Sequence, residues 1–173
     1  MKKQASLLSH IVAVLVLPFN VTVIIPALLL YFFRNNYGWG TESILFYMLI
    51  LVGTLIISCG LLLLALTIRQ FASRGKGTLA PWNSPRKLVV DSPYNYTRNP
   101  MISAVIIILF GEVIIFGSIP LVLWFVYFTV TNIIYIKYRE EPGLEKLFGE
   151  DYRQYKKRVP RLFPRVLSRK RSS

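Results

Sequence analysis

Residues 100–136 read PMISAVIIILFGEVIIFGSIPLVLWFVYFTVTNIIYI, and this stretch decides the fold. It carries a single charged side chain, Glu112. With about 37 residues, it is too long for one membrane-spanning helix of about 20 and just long enough for two of about 18. The sequence Gly117-Ser118-Ile119-Pro120 in its middle favours a tight turn. The stretch therefore predicts a helical hairpin whose two ends return to the same side of a membrane.

Two further apolar segments precede the hairpin, residues 7–33 and residues 43–68. Pro18 and Pro26 in the first predict a kink or an interfacial bend. The chain is 54% hydrophobic with a formal net charge of +13, a combination that is rare in a soluble domain of this length. We expect an all-α, multi-pass membrane protein with about four transmembrane helices. An N-terminal helix pair (1–74) would precede a core (75–173) that ends in a cytoplasmic helical segment and a basic tail.

Lysine and arginine predict the orientation of these helices. Arg34 is the one basic residue between helices one and two, and the other 20 of the 21 fall at the N-terminus, in the middle loop or after helix four. Both termini are therefore expected on the cytoplasmic face, of a bacterial inner membrane or of an endoplasmic reticulum. The same topology accounts for the basic surplus without nucleic-acid binding, and the tail is expected to meet anionic lipid.

Cysteine and histidine are too scarce for several kinds of site. Cys59 is the single cysteine and His10 the single histidine. An internal disulfide, a zinc site and a Ser/His/Asp triad are therefore excluded, and no metal is expected. Glu112 falls within the third apolar helix, where a carboxylate is costly and needs a structural partner or a function. His10 is one candidate partner for it.

Polar residues cluster at both ends of the hairpin. Tyr94, Arg98 and Asn99 immediately precede it, and Glu140 and Glu141 follow it. Tyrosine and arginine at that depth often only anchor a helix at the membrane interface. Two adjacent carboxylates in a basic region can simply pair with arginine, or they can hold a cationic ligand. The hairpin topology places both clusters on the same membrane face.

Together, the segments around this hairpin resemble the isoprenylcysteine carboxyl methyltransferase and phospholipid methyltransferase superfamily. Each segment alone is weak, whereas their order and spacing are specific. The resemblance covers about residues 75–165 and is carried by 75-GKGTLAP-81, 87-KLV-89, 93-PY-94, 98-RNPM-101, 140-EE-141, 148-FGEDYRQY-155 and 159-VPR-161.

The resemblance implies an enzyme that uses S-adenosylmethionine in a pocket at the cytoplasmic membrane face. The residues that it assigns to cofactor binding are Lys87, Leu88, Val89, Tyr94, Asn99, Pro100, Met101, Ile102 and Glu140. The candidate catalytic residues are Glu141, Arg98 and Arg139. Either arginine would hold the cofactor carboxylate, and Glu141 or Glu140 is the only nearby candidate for a base. Tyr152 and Tyr155 lie in a stretch that would close the pocket against water.

The sequence departs from the superfamily pattern at four positions. Asn99 replaces a frequent histidine, Ile102 a frequent tyrosine, Asn95 a frequent arginine and Ser92 a frequent glycine. Loss of the hydroxyl at Ile102 bears on the choice of acceptor more than on the cofactor.

The expected acceptor is hydrophobic or lipidated and reaches the site laterally from the bilayer. O- or S-methylation is favoured, because a carboxylate, acidic enol or thiol needs little help from a base. Phospholipid N-methylation is an alternative, and a non-catalytic four-helix scaffold is another. A transporter is disfavoured, since no inverted repeat is visible. The sequence leaves the acceptor's identity and the oligomeric state open.

Overall fold

The computed structural model describes residues 15–33, 43–74 and 90–163, and all regular secondary structure within these ranges is helical. This agrees with the expected all-α class. His10, the loop segment 75–89 and the basic tail from residue 164 lie outside the described residues.

The described helices follow the apolar pattern of the sequence. In chain order they are a π-helical segment (Leu15–Ile24) that leads into α1 (Ile25–Phe32), α2 (Ile44–Arg74), α3 (Pro100–Phe116), α4 (Ile119–Tyr135), a π-helical segment (Ile136–Glu140), α5 (Glu141–Phe148) and α6 (Glu150–Arg158).

Two stretches of helix are long and apolar enough to cross a membrane. These are Ile44–Gln70 in α2 and Ile119–Phe148, which joins α4, the second π-helical segment and α5. Their mean hydropathies are 2.8 and 1.9. The first apolar helix (Leu17–Phe32) and α3 (Pro100–Phe116) are shorter. Membrane-spanning character thus rests on two helices, and the four expected spans stay a prediction.

The helical hairpin is confirmed. The α3 helix ends at Gly117, whose φ of 55° lies in the left-handed region that glycine tolerates. The Gly117 N–H donates to the Val113 carbonyl at 2.9 Å, and Pro120 lies in the first turn of α4. By contrast, α2 extends to Arg74, six residues past the apolar limit expected at Ile68. The helix therefore continues through the polar residues Arg69 and Gln70 that follow its apolar segment.

Helices α2 and α3 pack antiparallel with their backbones in contact. A Cβ atom at Gly111 would lie 2.6 Å from Ile57 Cγ1 and 2.9 Å from the Gly53 carbonyl oxygen. A Cβ at Gly60, two turns further along α2, would lie 2.7 Å from Ile108 Cγ1. Small residues at these positions allow the close approach that packs helices in lipid. The opposite side of α2 exposes large apolar side chains, among them Leu51, Leu55 and Leu62.

The C-terminal part folds back onto the start of α3. Residues 159–163, which we call the strap, run beside residues 97–103. The Arg98 N–H donates to the Pro160 carbonyl at 2.9 Å, and the Asn99 N–H donates to the Arg161 carbonyl at 3.2 Å. Leu162 of the strap is buried in an apolar cluster with Ile106 and Ile136. Residues from both ends of the hairpin therefore meet beneath one segment of chain.

Candidate functional site

Tight turns before α3 position Arg98. The Tyr94 N–H donates to the Asp91 carbonyl at 2.7 Å, and the Tyr96 N–H donates to the Pro93 carbonyl at 3.1 Å. Pro100 then starts α3, where its missing N–H costs nothing because the first helical N–H groups have no partner within the helix. Arg98 is thus fixed between a turn, a helix start and the strap.

Glu141 lies at the centre of a buried ion cluster. Its side chain is 3% exposed and contacts three cations. Arg161 binds it with two nitrogens, Nε to Oε1 at 2.7 Å and Nη2 to Oε2 at 3.2 Å. Arg98 Nη1 lies 3.1 Å from Oε1, and Lys156 Nζ lies 3.4 Å from Oε2. A buried carboxylate needs such compensation, and both of its oxygens are already occupied.

Arg98 keeps unused hydrogen-bond donors although its side chain is only 8% exposed. Its Nε and Nη1 atoms are buried without a hydrogen-bond partner among the described residues. The Nη1 contact with Glu141 is close enough for an ion pair, but it does not meet hydrogen-bond geometry. Buried guanidinium donors that lack acceptors are costly unless an anionic group joins them.

Glu140 has the opposite character to Glu141. It is half-buried at the junction of the second π-helical segment with α5, and no ion pair joins it to another described residue. Its charge acts on two tyrosines of the cluster, Tyr94 and Tyr152. Local π-helical geometry often marks functional positions, because the wider turn redirects side chains. The cluster thus contains one neutralised carboxylate and one that is available.

Three tyrosines enclose these charges. Burial, together with the Glu140 charge, holds the pKa of Tyr94 well above its usual range. Burial raises the pKa of Tyr152 to about 12, with opposing influences from Arg98 and from the two carboxylates. The Tyr155 hydroxyl donates to the Tyr94 carbonyl at 2.6 Å, and Tyr152 is 2% exposed. All three stay protonated near neutral pH, so they act as hydrogen-bonding walls rather than as bases.

The block from Asn99 to Ile102 lies beside this cluster in several environments. The Asn99 side-chain amide donates to the Arg161 carbonyl at 3.2 Å, which fastens the strap. Pro100 is buried, and Met101 is partly buried. Ile102 packs against the apolar cluster around Leu162. Roles of these four residues in cofactor binding stay predictions, and Asn99 also has a clear structural role.

The surroundings of Arg139 differ from those of the other predicted catalytic residues. Its side chain is exposed, and no ion pair joins it to another described residue, whereas Arg98 and Glu141 are in direct contact. Lys87, Leu88 and Val89 lie outside the described residues, so their predicted role in lining the cofactor stays a prediction.

Sequence reasoning assigned no role to Lys156 or to the Arg161 side chain. Both contact Glu141, from 15 and 20 residues further along the chain respectively. No helical or strand periodicity links positions separated in this way. A buried Glu-Glu pair in a chain with so many cations was the only available signal, since at least one of the two carboxylates needs cationic partners.

An open cavity of about 580 Å³ with a mixed polar and apolar lining lies next to the ion cluster. Tyr155 and Val159 line it together with Asp151, Arg158 and three other residues, Val90, Asn95 and Gln154. The residues that line this cavity do not include Arg98, Glu140 or Glu141. Tyr155 lies between the cavity and the ion cluster. Among the described residues, no three His, Cys, Asp or Glu side chains converge in a way that could hold a metal ion.

Comparison with known families gives one match. The family described as phospholipid methyltransferase matches residues 48–151, more than half of the chain. The matched region includes most of α2, the whole hairpin and both carboxylates, and it ends before the strap. No curated protein matches the chain.

Proposed function

Because the chain belongs to the phospholipid methyltransferase family, we propose that it is an integral-membrane enzyme that transfers a methyl group from S-adenosylmethionine to a hydrophobic or lipid-linked acceptor. The family makes the chain a methyltransferase with membrane-like features. The cofactor, the acceptor class and the four-span topology with cytoplasmic termini are our proposal.

One observation carries the cofactor assignment. Arg98 has buried donors without acceptors, and Glu140 has a half-buried carboxylate without a cation among the described residues. The charges of both side chains act on Tyr152, which supports assigning them to one site. The amino-acid end of S-adenosylmethionine carries a carboxylate and an ammonium group, and it would satisfy the two side chains at once. Arg98 would hold its carboxylate and Glu140 its amino group.

The protein's contribution to catalysis is alignment and exclusion of water. When bound, the cofactor supplies an electrophilic methyl group, which the acceptor's lone pair takes as the carbon–sulfur bond breaks. Fixing donor and acceptor in line accounts for a large part of the rate of such a reaction. Arg98 and Glu140 would fix one end of the cofactor, and Tyr94, Tyr152 and Tyr155 would screen the site from water.

The state of Glu141 favours an acceptor that needs little basic assistance. Three cations surround its carboxylate, so it has little tendency to accept a proton. Glu140 is then the remaining acidic side chain of the cluster, and the cofactor's amino group would occupy it. This supports O- or S-methylation of a carboxylate, acidic enol or thiol. N-methylation of a phospholipid amine is the alternative, since the family description leaves the acceptor open between a phospholipid and another lipid-linked group.

The first experiment is calorimetric titration of S-adenosylmethionine into the full chain, purified in detergent and again in lipid nanodiscs. We expect micromolar binding by the wild type and at least about a tenfold loss in Glu140→Gln, because a charge-assisted contact disappears. Glu150→Gln is the control, since the exposed Glu150 side chain of α6 contacts Arg153, which lies outside the cluster. It should bind like the wild type.

Two outcomes would count against the proposal. Unchanged binding in Glu140→Gln would remove this residue from the site. Absence of binding by well-folded wild-type protein in nanodiscs would favour a non-catalytic scaffold. If binding is found, incubation of lipid extracts with methyl-labelled cofactor would separate labelled phospholipid amines from labelled carboxylates or thiols.

A further inference from the structure

The Arg161 side chain contacts both carboxylate oxygens of Glu141, and this limits how Arg98 can bind the same carboxylate. Arg161 engages both carboxylate oxygens, at 2.7 and 3.2 Å, as a planar guanidinium does in a two-point contact. Arg98 reaches only Oε1, through Nη1 at 3.1 Å. If Arg161 were absent, Oε1 would lose the Arg161 guanidinium and Oε2 would keep only the more exposed Lys156, so Arg98 could turn its own two-point face toward Glu141 and use up its free donors.

Arg161 is not required to attach the strap. Backbone bonds from Arg98 and Asn99 hold the strap at the Pro160 and Arg161 carbonyls. The Ser103 hydroxyl adds a bond to the Leu162 carbonyl at 2.5 Å. None of these bonds involves the Arg161 guanidinium. Shortening the Arg161 side chain therefore leaves the strap attached and changes mainly the charge and occupancy of Glu141.

We propose that Arg161 is a positioning residue for the cofactor carboxylate: by holding both oxygens of Glu141, it keeps the donors of Arg98 available to that carboxylate. The inference rests on the proposed function and extends it to a residue beyond the family match, which ends at residue 151. Lys156 adds a third cation to the same carboxylate from a more exposed position. It supplies charge without a two-point geometry.

The test compares S-adenosylmethionine with decarboxylated S-adenosylmethionine, which lacks only the carboxylate. Calorimetric affinities of both probes are measured for the wild type, Arg161→Gln and Arg161→Lys in nanodiscs. We expect Arg161→Gln to lose about tenfold or more in affinity for S-adenosylmethionine, the size of one charged hydrogen bond, and to bind the decarboxylated probe like the wild type. Arg161→Lys restores charge but only one contact, so its affinity should be intermediate.

Ser103→Ala is the matched structural control, since it removes a strap bond without touching Glu141. It should lower the unfolding temperature and leave the ratio of the two affinities unchanged. An equal loss for both probes in Arg161→Gln would mean a general structural role and overturn the inference. So would an unchanged affinity for S-adenosylmethionine. Full restoration by Arg161→Lys would overturn the need for a two-point contact.

The same titration separates this inference from the proposed function. If wild-type protein binds neither probe, the proposed function fails and the role of Arg161 fails with it. If the wild type binds both probes and Arg161→Gln retains the wild-type ratio of affinities, only the positioning role is wrong. If the Arg161→Gln protein does not fold, Arg161→Lys takes its place. An unchanged ratio of the two affinities in Arg161→Lys would again overturn the inference.

Discussion

The α2–α3 pair and the ion cluster at its end are built in opposite ways. The helix pair brings backbones together through glycine, and its contacts are apolar and local to two straight helices. The cluster brings five charged side chains, Arg98, Glu140, Glu141, Lys156 and Arg161, from distant parts of the chain into a partly buried volume. The first arrangement provides rigidity, whereas the second leaves donors and a carboxylate unpaired. Buried polar atoms without a hydrogen-bond partner among the described residues also occur on the hairpin, at Glu112, Ser118 and Thr129, so the cluster is distinguished by its density of charge.

Glu141→Gln should have the largest effect and would break the cluster. Arg98 would lose the carboxylate that it contacts, and its side chain is only 8% exposed. Removing one partner of a buried ion pair costs about 3–5 kcal/mol. Thermal unfolding in detergent, followed by circular dichroism, should show a marked loss of stability. Glu145→Gln, on the same helix with exposed partners, should unfold close to the wild type.

Retention of wild-type stability by Glu141→Gln would mean that the three cations around Glu141 contribute little, and the contrast between the two regions would lose its basis.

Gly111→Ala should break the scaffold instead. The added methyl group would meet the Gly53 carbonyl oxygen at 2.9 Å and the Ile57 nitrogen at 3.2 Å, and backbone atoms cannot rotate away. Overpacking of this kind costs about 1–3 kcal/mol. Gly143→Ala is the control, because a Cβ there has no neighbour within 4 Å.

Measured by the same unfolding assay, Gly111→Ala should be less stable than Gly143→Ala. Equal stability of the two variants would show that α2 and α3 are not in backbone contact.

Tyr155→Phe should have the smallest effect, because it changes one hydrogen bond at the edge of the ion cluster. It removes the hydroxyl that donates to the Tyr94 carbonyl at 2.6 Å, a contact worth about 1 kcal/mol. Tyr96→Phe is the control, because Tyr96 lies near Tyr94 in the turns before α3 and is 60% exposed. We expect a small drop in unfolding temperature in the first variant alone, and an identical drop in both would assign the effect to general surface polarity.

The two regions also differ in how far the sequence predicted them. Hydropathy and the Gly117–Pro120 turn predicted the hairpin, because both are local patterns in adjacent residues. Hydropathy marked the apolar segment 43–68 but not the end of α2, since a helix can continue through polar residues such as Arg69 and Gln70 once its apolar part is anchored. The order of polar clusters placed Arg98 and Glu141 on the same face, and the structure brings them into contact.

The division of labour between Glu140 and Glu141 could not be predicted in the same way. It depends on Arg161 and Lys156, which reach Glu141 only after α5 and α6 fold back. Likewise, nothing in the sequence indicated that the Asn99 amide would fasten the strap. Such contacts are set by tertiary geometry and leave no periodic trace. The partner that the sequence led us to expect for Glu112 is not seen in the part of the chain that the structure describes. Its Oε2 atom is buried without a hydrogen-bond partner among the described residues.

The strap has a consequence for how the protein is made. Its hydrogen bonds join residues about 60 positions apart, from Thr97, Asn99 and Ser103 to Arg161 and Leu162. During synthesis the start of α3 is made about 60 residues ahead of these partners, a delay of about 3–12 seconds at about 5–20 residues per second. Synthesis of the start of α3 and assembly of the charged end are therefore separate events in time. A chain truncated before the strap would keep the sequence of every described helix and lack the contacts that hold Arg98 in place.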